Sequence, residues 1–170
     1  KTGEIISMVN YPSFDPENRT EMHGVNIKNR AVTESFEPGS TIKPFTIYTA
    51  LKDKIFNKKS IIDTSPGILK IGEYEIEDYK YLGKLTLAGI IQRSSNVGAA
   101  MVALKTNKRS IYNTLKELNF GETLYIGLPG EQSGKLGHHS LWDESQHASM
   151  GYGYGLSTTL LHLANAYSVL

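Results

Sequence analysis

Apolar residues recur at helical spacing in five stretches of this chain. Between residues 40 and 52 they cover a broad face, which is typical of a deeply buried helix. That face consists of Ile42, Phe45, Ile47, Tyr48 and Leu51. The same spacing predicts further helices over residues 86–93, 97–105, 110–118 and 157–170.

Stretches with the character of β-strands are fewer. The stretch "GEIISMVN", residues 3–10, is rich in β-branched residues and predicts a strand. In the stretch "ILKIGEYEIED", residues 68–78, apolar and polar residues alternate on both sides of Gly72, which predicts a β-hairpin. Residues 13–29 and 121–155 show little periodicity and predict loops. The pattern therefore predicts an α+β protein in which helices dominate, an unusual order for a complete domain of this class.

Composition and charge exclude several classes of function. The 170 residues carry a formal net charge of +1, which favours neither a nucleic acid nor an acidic partner. The chain contains no cysteine, and therefore neither a disulfide nor a thiolate metal ligand. No apolar run approaches the roughly 18 residues of a membrane span. Because the sequence begins at Lys1 and ends in the apolar stretch "LANAYSVL", we expect a piece of a longer protein.

The stretch "EPGSTIKPF" carries the first candidate chemistry. Pro38-Gly39 predicts a turn, and Ser40 then stands at the start of a helix with Lys43 one turn later. An apolar setting would favour the neutral amine of Lys43, and the helix N-terminus would favour negative charge developing near Ser40. These features indicate a nucleophilic serine with a lysine base. The alternative is an N-cap serine beside a solvated lysine.

The stretch "QRSSNVG", residues 92–98, carries the second group of candidate catalytic residues. Its triplet Ser94-Ser95-Asn96 interrupts two apolar helices and can present polar side chains to a cleft. A hydroxyl at Ser94 could relay a proton, and the amide of Asn96 could bind a carbonyl group. The alternative is that Ser95 or Asn96 only caps the following helix.

Together, S-x-x-K and S-x-N resemble the active-site serine enzymes that recognise penicillin. Longer segments are also similar to class B penicillin-binding proteins, above all to the cell-division peptidoglycan D,D-transpeptidases. These segments are "NRAVTESFEPGSTIKPFTIYTAL", "LTLAGIIQRSSNVGAAMVAL", "GLPGEQSG" and "GYGYGLSTTLLHLANAYSVL". The resemblance implies the fold shared by serine β-lactamases and penicillin-binding transpeptidases, here a helical subdomain with an incomplete antiparallel sheet.

The resemblance also implies a mechanism. Ser40 would attack the carbonyl between the two terminal D-alanines of a peptidoglycan stem peptide, and Lys43 would accept its proton. Ser94 would pass a proton to the leaving D-alanine, and Asn96 would hold the substrate amide and Lys43. The implied ligands are stem peptides and β-lactams, with division proteins as partners and no cofactor, metal or nucleic acid. The implied location is the periplasmic face of the inner membrane, where the parent protein is anchored.

The third motif of this family, Lys-Thr/Ser-Gly, is expected beyond residue 170. Lys1-Thr2-Gly3 spells it, but this position precedes the predicted first strand, so we interpret it as a coincidence. We therefore expect a partial transpeptidase domain, truncated on its C-terminal side and impaired alone. An incomplete sheet would favour self-association or a partner segment that supplies the missing strands.

Other interpretations remain open from the sequence. A β-lactamase of the same fold is one, although Ser95 stands where many of those hydrolases carry aspartate. A non-catalytic module that binds β-lactams or serves as a scaffold is another. Three histidines could suggest a metal, but they lie in a polar loop without the spacing of known metal sites; they are His138, His139 and His147. Glu131 is expected to be a solvated loop carboxylate, and Tyr152 and Tyr154 either line a cleft or pack in the core.

Overall fold

The computed structural model describes residues 3–170. Within this range the chain forms short helices and shorter strands, in the α+β arrangement that the sequence predicts. The α-helices are α1 (Arg30–Thr33), α2 (Lys43–Lys52), α3 (Leu87–Arg93), α4 (Asn96–Lys105), α5 (Lys108–Glu117), α6 (Glu144–Met150) and α7 (Leu160–Tyr167). The strands are β1 (Ile61–Asp63), β2 (Ile68–Ile71), β3 (Tyr74–Glu77), β4 (Lys84–Thr86), β5 (Lys135–Leu136) and β6 (Leu156–Ser157).

Helix α4 lies at the centre of the molecule, packed against α2, α5 and α6. Its small side chains let neighbouring helices approach closely, and six of its residues are buried. A Cβ added at Gly151, just after α6, would lie 2.5 Å from the Cβ of Ala103. This close packing holds α4 against the end of α6.

The predicted helices are confirmed, with differences at their ends. Helix α2 is preceded by one 3₁₀ turn, Gly39–Ile42, which continues directly into it. Helix α7 begins at Leu160 rather than 157, because Leu156 and Ser157 pair with β5 instead. Helices α1 and α6 were not predicted: α1 has only four residues, and α6, which begins after its N-cap Asp143, consists mostly of polar residues and shows no apolar period.

The strands of the described residues pair as three separate two-stranded antiparallel sheets, β1 with β4, β2 with β3, and β5 with β6. The predicted hairpin is confirmed, with Ile68 opposite Glu77 and Ile71 opposite Tyr74 around Gly72. Each sheet covers one edge of the helical core rather than forming a central layer. None of the described helices has the length and apolarity needed to cross a bilayer.

The predicted strand at residues 3–10 is wrong, because this segment forms no regular secondary structure. A β-branched composition supplies strand propensity, but a strand also needs a hydrogen-bonded neighbour. Within the range 3–170 no strand pairs with this segment, and Ile6 is 98% exposed. Lys1 and Thr2 lie outside the described residues, so the interpretation of Lys1-Thr2-Gly3 stays a prediction. Residues 13–29 form the predicted loop, with short 3₁₀ turns at Arg19–Glu21 and Gly24–Ile27.

Candidate active site

The four site residues predicted from the sequence meet around one amine. Lys43 Nζ lies 3.0 Å from Ser40 Oγ and 3.0 Å from Ser94 Oγ. It donates to Asn96 Oδ1 at 2.8 Å and to the main-chain oxygen of Ser94 at 2.7 Å. The hydroxyl of Ser94 donates to Ser40 Oγ at 2.9 Å. The structure thus brings together residues more than fifty positions apart in the sequence.

Lys43 is buried beneath the two serines. Its side chain is only 1% exposed, whereas Ser40 and Ser94 are both exposed at the surface. The local reason is helical geometry: Ser40 stands in the 3₁₀ turn and Lys43 at the first position of α2, which places them on one face. A molecule approaching from solvent therefore meets the hydroxyls first, with the amine behind them.

Ser94 adopts a left-handed backbone conformation, with φ 53° and ψ 40°. It ends α3, and its backbone N–H returns to the carbonyls of Ile90 and Ile91. This conformation is uncommon for a residue with a Cβ and usually needs support from its surroundings. Here it lets both oxygens of Ser94, the hydroxyl and the carbonyl, face Lys43 Nζ.

The capping alternative is correct for Ser95 but leaves its two neighbours free for other contacts. Ser95 Oγ accepts from the backbone N–H of Gly98 at 2.8 Å and caps α4. The amide of Asn96 is oriented by its partners, because its Nδ2 donates to the carbonyl oxygen of Glu77 at 3.2 Å. A carbonyl oxygen only accepts, so Asn96 Oδ1 must be the atom that faces Lys43.

Burial lowers the pKa of Lys43 from 10.5 to about 8, although the carboxylate of Asp78 acts in the opposite direction. The neutral amine has two N–H groups and one lone pair. The two closest oxygens, the main-chain oxygen of Ser94 and Asn96 Oδ1, only accept, so they match the two N–H groups. The lone pair then remains for a hydroxyl proton, as a general base requires.

The two hydroxyls differ in their helix environment. Ser40 lies in the first turn leading into α2, where backbone N–H groups lack helical partners and favour negative charge. Ser94 lies between the C-terminal end of α3 and the N-terminus of α4, whose dipoles act on it in opposite directions. An alkoxide and the oxyanion it creates are therefore better stabilised at Ser40.

Sequence reasoning missed two contributors at the end of β3. The carboxylate of Asp78 accepts hydrogen bonds from Ser95 Oγ and from the backbone N–H groups of Asn96 and Val97. The carbonyl of Glu77 accepts from Asn96. The only signal in the sequence was their position, since both residues stand at the end of the predicted hairpin. Nothing in the apolar pattern indicates that this hairpin end reaches the α3–α4 turn.

The other candidate residues from the sequence make contacts of a different kind. His138 and His139 stack with their ring centroids 4.3 Å apart, and no group of three potential ligands among residues 3–170 is placed to hold a metal ion. Glu131 is not simply solvated, because its carboxylate accepts from the backbone N–H groups of Leu124 and Ile126. Tyr152 is buried, whereas Tyr154 is 47% exposed.

The glycine-rich segment after α6, residues 151–155, packs against the turn that carries Ser40. The N–H of Gly39 donates to the carbonyl of Gly153 at 3.0 Å. Gly153 has φ +90°, and a Cβ there would lie 1.9 Å from the carbonyl oxygen of Gly39. Only glycine fits at this position, directly beside the turn that carries the predicted nucleophile.

We expect Gly153→Ala in the full-length protein to lower both the melting temperature and the rate of the penicillin acylation that the sequence resemblance implies, because the added carbon must displace Gly39 and hence Ser40. Gly127→Ala is the matched control: Gly127 has φ +81°, but a Cβ there meets nothing within 4 Å. It shares the backbone strain of about 1–2 kcal/mol without the clash. Thermal unfolding and labelling rates measure both effects. Equal acylation rates in the two variants would contradict this account of Gly153.

The chain matches the family model described as the penicillin-binding protein transpeptidase domain over residues 1–170. It is 41% identical over 170 residues to the peptidoglycan D,D-transpeptidase FtsI of Buchnera aphidicola subsp. Schizaphis graminum, covering 100% of this chain and 30% of that protein. It is 36% identical over 169 residues to FtsI of Escherichia coli strain K12, covering 99% of this chain and 28% of that protein. The chain thus spans about a third of these relatives' length.

Solved structures agree. A peptidoglycan glycosyltransferase from Burkholderia ambifaria superposes with a TM-score of 0.88 at 34% identity, covering 99% of this chain and 49% of that one. The transpeptidase domain of Burkholderia pseudomallei penicillin-binding protein 3 gives a TM-score of 0.82 at 36% identity, covering 84% and 43%. The resemblance seen in the sequence is confirmed, and the chain belongs to the family of penicillin-binding protein transpeptidase domains.

Proposed function

We propose that the full-length protein carrying this chain is a peptidoglycan D,D-transpeptidase and that Ser40, Lys43, Ser94 and Asn96 form its acylation site. The observation that carries the proposal is the buried amine of Lys43, 3.0 Å from both hydroxyls, with its pKa lowered to about 8. The names of the relatives support the same reaction. A β-lactamase of the same fold is not supported by them.

In the first half-reaction, Ser40 Oγ bonds to the carbonyl carbon of the penultimate D-alanine while its proton moves to the neutral amine of Lys43. The carbonyl electrons move onto oxygen and form an oxyanion. When the carbonyl re-forms, the C–N bond to the terminal D-alanine breaks. The departing nitrogen takes a proton from the Lys43 ammonium, either directly or through the Ser94 hydroxyl. Ser94 Oγ lies 3.0 Å from Lys43 Nζ and 2.9 Å from Ser40 Oγ, and is therefore close to both the proton donor and the reacting ester.

In the second half-reaction, an amine from a neighbouring stem peptide attacks the ester on Ser40. Lys43, neutral again, accepts the proton of the attacking amine and returns it to Ser40 Oγ as the ester bond breaks. The product is a new amide that cross-links two stem peptides. Asn96, held by Glu77 and Lys43, is positioned to bind an amide of the substrate.

A β-lactam would enter the same path. Its ring amide replaces the scissile peptide bond, and the leaving nitrogen remains tethered to the acyl group.

Labelling of the full-length protein with a fluorescent penicillin, followed by measurement of the release of the label, tests the proposal. A stable adduct on Ser40 supports a transpeptidase; rapid hydrolysis of the adduct would indicate a β-lactamase, and no adduct would indicate a non-catalytic module.

The cellular setting follows from the same assignment. We propose a catalytic domain on the periplasmic side of the inner membrane, in a membrane-anchored protein that works with the cell-division machinery. The relatives named FtsI support this setting. Because the chain spans only about a third of their length, we assign activity to the full-length protein and treat this chain as part of its transpeptidase domain.

The acylation rate should depend on pH through Lys43. The base acts only when neutral, so the rate should rise roughly tenfold per pH unit below the pKa and level off above it. Since that pKa is about 8, the midpoint of the profile should lie near this value rather than near 10.5. Stopped-flow acylation between pH 6 and 9.5 measures it. A rate that is constant over this range would exclude Lys43 as the base.

A further inference from the structure

The carboxylate of Asp78 holds the turn between α3 and α4 by atoms that Lys43 does not contact. Asp78 Oδ1 accepts from the backbone N–H of Asn96 at 2.6 Å and of Val97 at 3.1 Å. Asp78 Oδ2 accepts from Ser95 Oγ at 2.7 Å. Its own N–H donates to the carbonyl of Gly67 at 2.9 Å, which fixes Asp78 to the base of the hairpin.

We infer that Asp78 is a positioning residue for acylation: it holds the Ser94–Asn96 turn in register with Lys43 and so places the Ser94 hydroxyl and the Asn96 amide. The inference rests on the proposed function. The carboxylate of Asp78 makes no hydrogen bond to the four acylation-site side chains, so it holds the turn through the backbone and Ser95, and only its charge acts on Lys43. It does not itself exchange protons with the substrate.

The need for such support comes from the conformation of Ser94. A left-handed serine is strained by comparison with the alternatives open to a free turn. Lys43 holds the turn through the carbonyl of Ser94 and the amide of Asn96. The carboxylate of Asp78 holds it through three further donors. Without these three bonds the turn would relax and move Ser94 Oγ out of contact with Ser40 Oγ.

The position of the carboxylate at the start of α4 strengthens its hold. The first turn of this ten-residue helix has backbone N–H groups without helical acceptors, and a carboxylate satisfies them with charge-assisted bonds. The same negative charge acts on Lys43, where it raises the pKa against the effect of burial. Asp78 therefore affects both the geometry and the charge balance of the site.

The test is Asp78→Asn in the full-length protein, with the rate of penicillin acylation measured across pH. We expect a loss of roughly 10- to 100-fold, the usual cost of misplacing a reacting group by a fraction of an ångström to one ångström. The midpoint of the pH profile should also move to lower pH, because the amide no longer favours the ammonium of Lys43. A residue that only stabilised the fold would leave this midpoint unchanged.

Asp143→Asn is the matched control. Asp143 is the N-cap of α6 and, like Asp78 at α4, accepts at a helix start, from the backbone N–H of Gln146 at 2.8 Å and from Ser145 Oγ at 2.8 Å. The two substitutions remove the same kind of bond. We expect Asp143→Asn to lower the melting temperature while leaving the acylation rate and the pH midpoint at their wild-type values.

Asp78→Glu separates position from charge and is the milder change if the asparagine variant fails to fold. It keeps the negative charge but lengthens the side chain, so the rate should fall while the pH midpoint stays near that of the wild type. A wild-type rate in either Asp78 variant, or an equal loss in Asp143→Asn, overturns the inference. Absence of acylation in the wild-type protein would instead overturn the proposed function.

Discussion

Replacing Ser40 with alanine should abolish covalent labelling of the full-length protein by a fluorescent penicillin. In the proposed mechanism the acyl-enzyme is an ester of Ser40 Oγ, whereas the Ser94 hydroxyl, which donates to Ser40 Oγ, relays a proton and forms no bond to the acyl group. Folding should be little affected, because Ser40 is exposed. Gel fluorescence and thermal unfolding measure the two effects.

Ser94→Ala is the matched control, since Ser94 Oγ lies as far from Lys43 Nζ as Ser40 Oγ does, at 3.0 Å. This variant should still form the adduct, but more slowly, because the proton relay is lost. Mass spectrometry of the labelled peptides locates the acyl group. An adduct on Ser94, or labelling that persists in Ser40→Ala, would show that the nucleophile is misassigned.

The local half of the site could be predicted from the sequence because it depends on one helix. Ser40 and Lys43 are three positions apart, and any helix that begins near Ser40 places them on one face. The apolar residues around Lys43 also predicted its burial, which the structure confirms at 1% exposure. Short-range geometry therefore determines this pair almost completely.

The distant half could not be predicted from spacing alone. That Ser94 and Asn96 meet Lys43 depends on how α4 packs against α2, and the sequence indicated this only through the resemblance to a known family. The left-handed backbone of Ser94 gave no signal, because glycine or asparagine is the usual residue in that conformation. The role of Asp78 was also missed, since an aspartate after a hairpin has many possible partners.

The segment 3–10 shows a prediction from composition that failed. Its composition favours a strand, but composition describes one chain segment and strand formation requires two. The hairpin at residues 68–78 was predicted correctly because both strands and the turn at Gly72 lie within eleven residues. Pairing between distant segments, such as β1 with β4, left no comparable mark in the sequence.

Lys43→Met should lower the acylation rate on the order of 10²- to 10⁴-fold, the usual contribution of a general base. Methionine has similar length and suits a buried position, but it cannot accept the Ser40 proton. Lys52→Met is the matched control in the same helix, where the exposed Lys52 pairs with Glu117 at 3.1 Å. We expect this control to acylate at the wild-type rate. Comparable losses in both variants would indicate a general effect on α2.

The stability of Lys43→Met should distinguish a base from a structural lysine. A pKa lowered from 10.5 to about 8 means that folding at neutral pH carries the cost of a buried ammonium, about 3 kcal/mol. Methionine removes this cost but leaves the Ser94 carbonyl and Asn96 Oδ1 without a donor, at about 1 kcal/mol each. The two effects oppose each other and leave about 1 kcal/mol, so the melting temperature at pH 7 should change by only a few degrees while acylation collapses.

The pH dependence of unfolding shows which protonation state of Lys43 the folded protein favours. Between pH 8 and 10.5 the unfolded wild-type chain still binds a proton at Lys43 that the folded protein has released. Stability of the wild type relative to Lys43→Met should therefore rise with pH across this window and be constant below it. Urea unfolding of both proteins at pH 7, 8, 9 and 10 measures the difference. A difference that falls with rising pH would mean that the ammonium of Lys43, rather than the neutral amine, is the form favoured by the folded site.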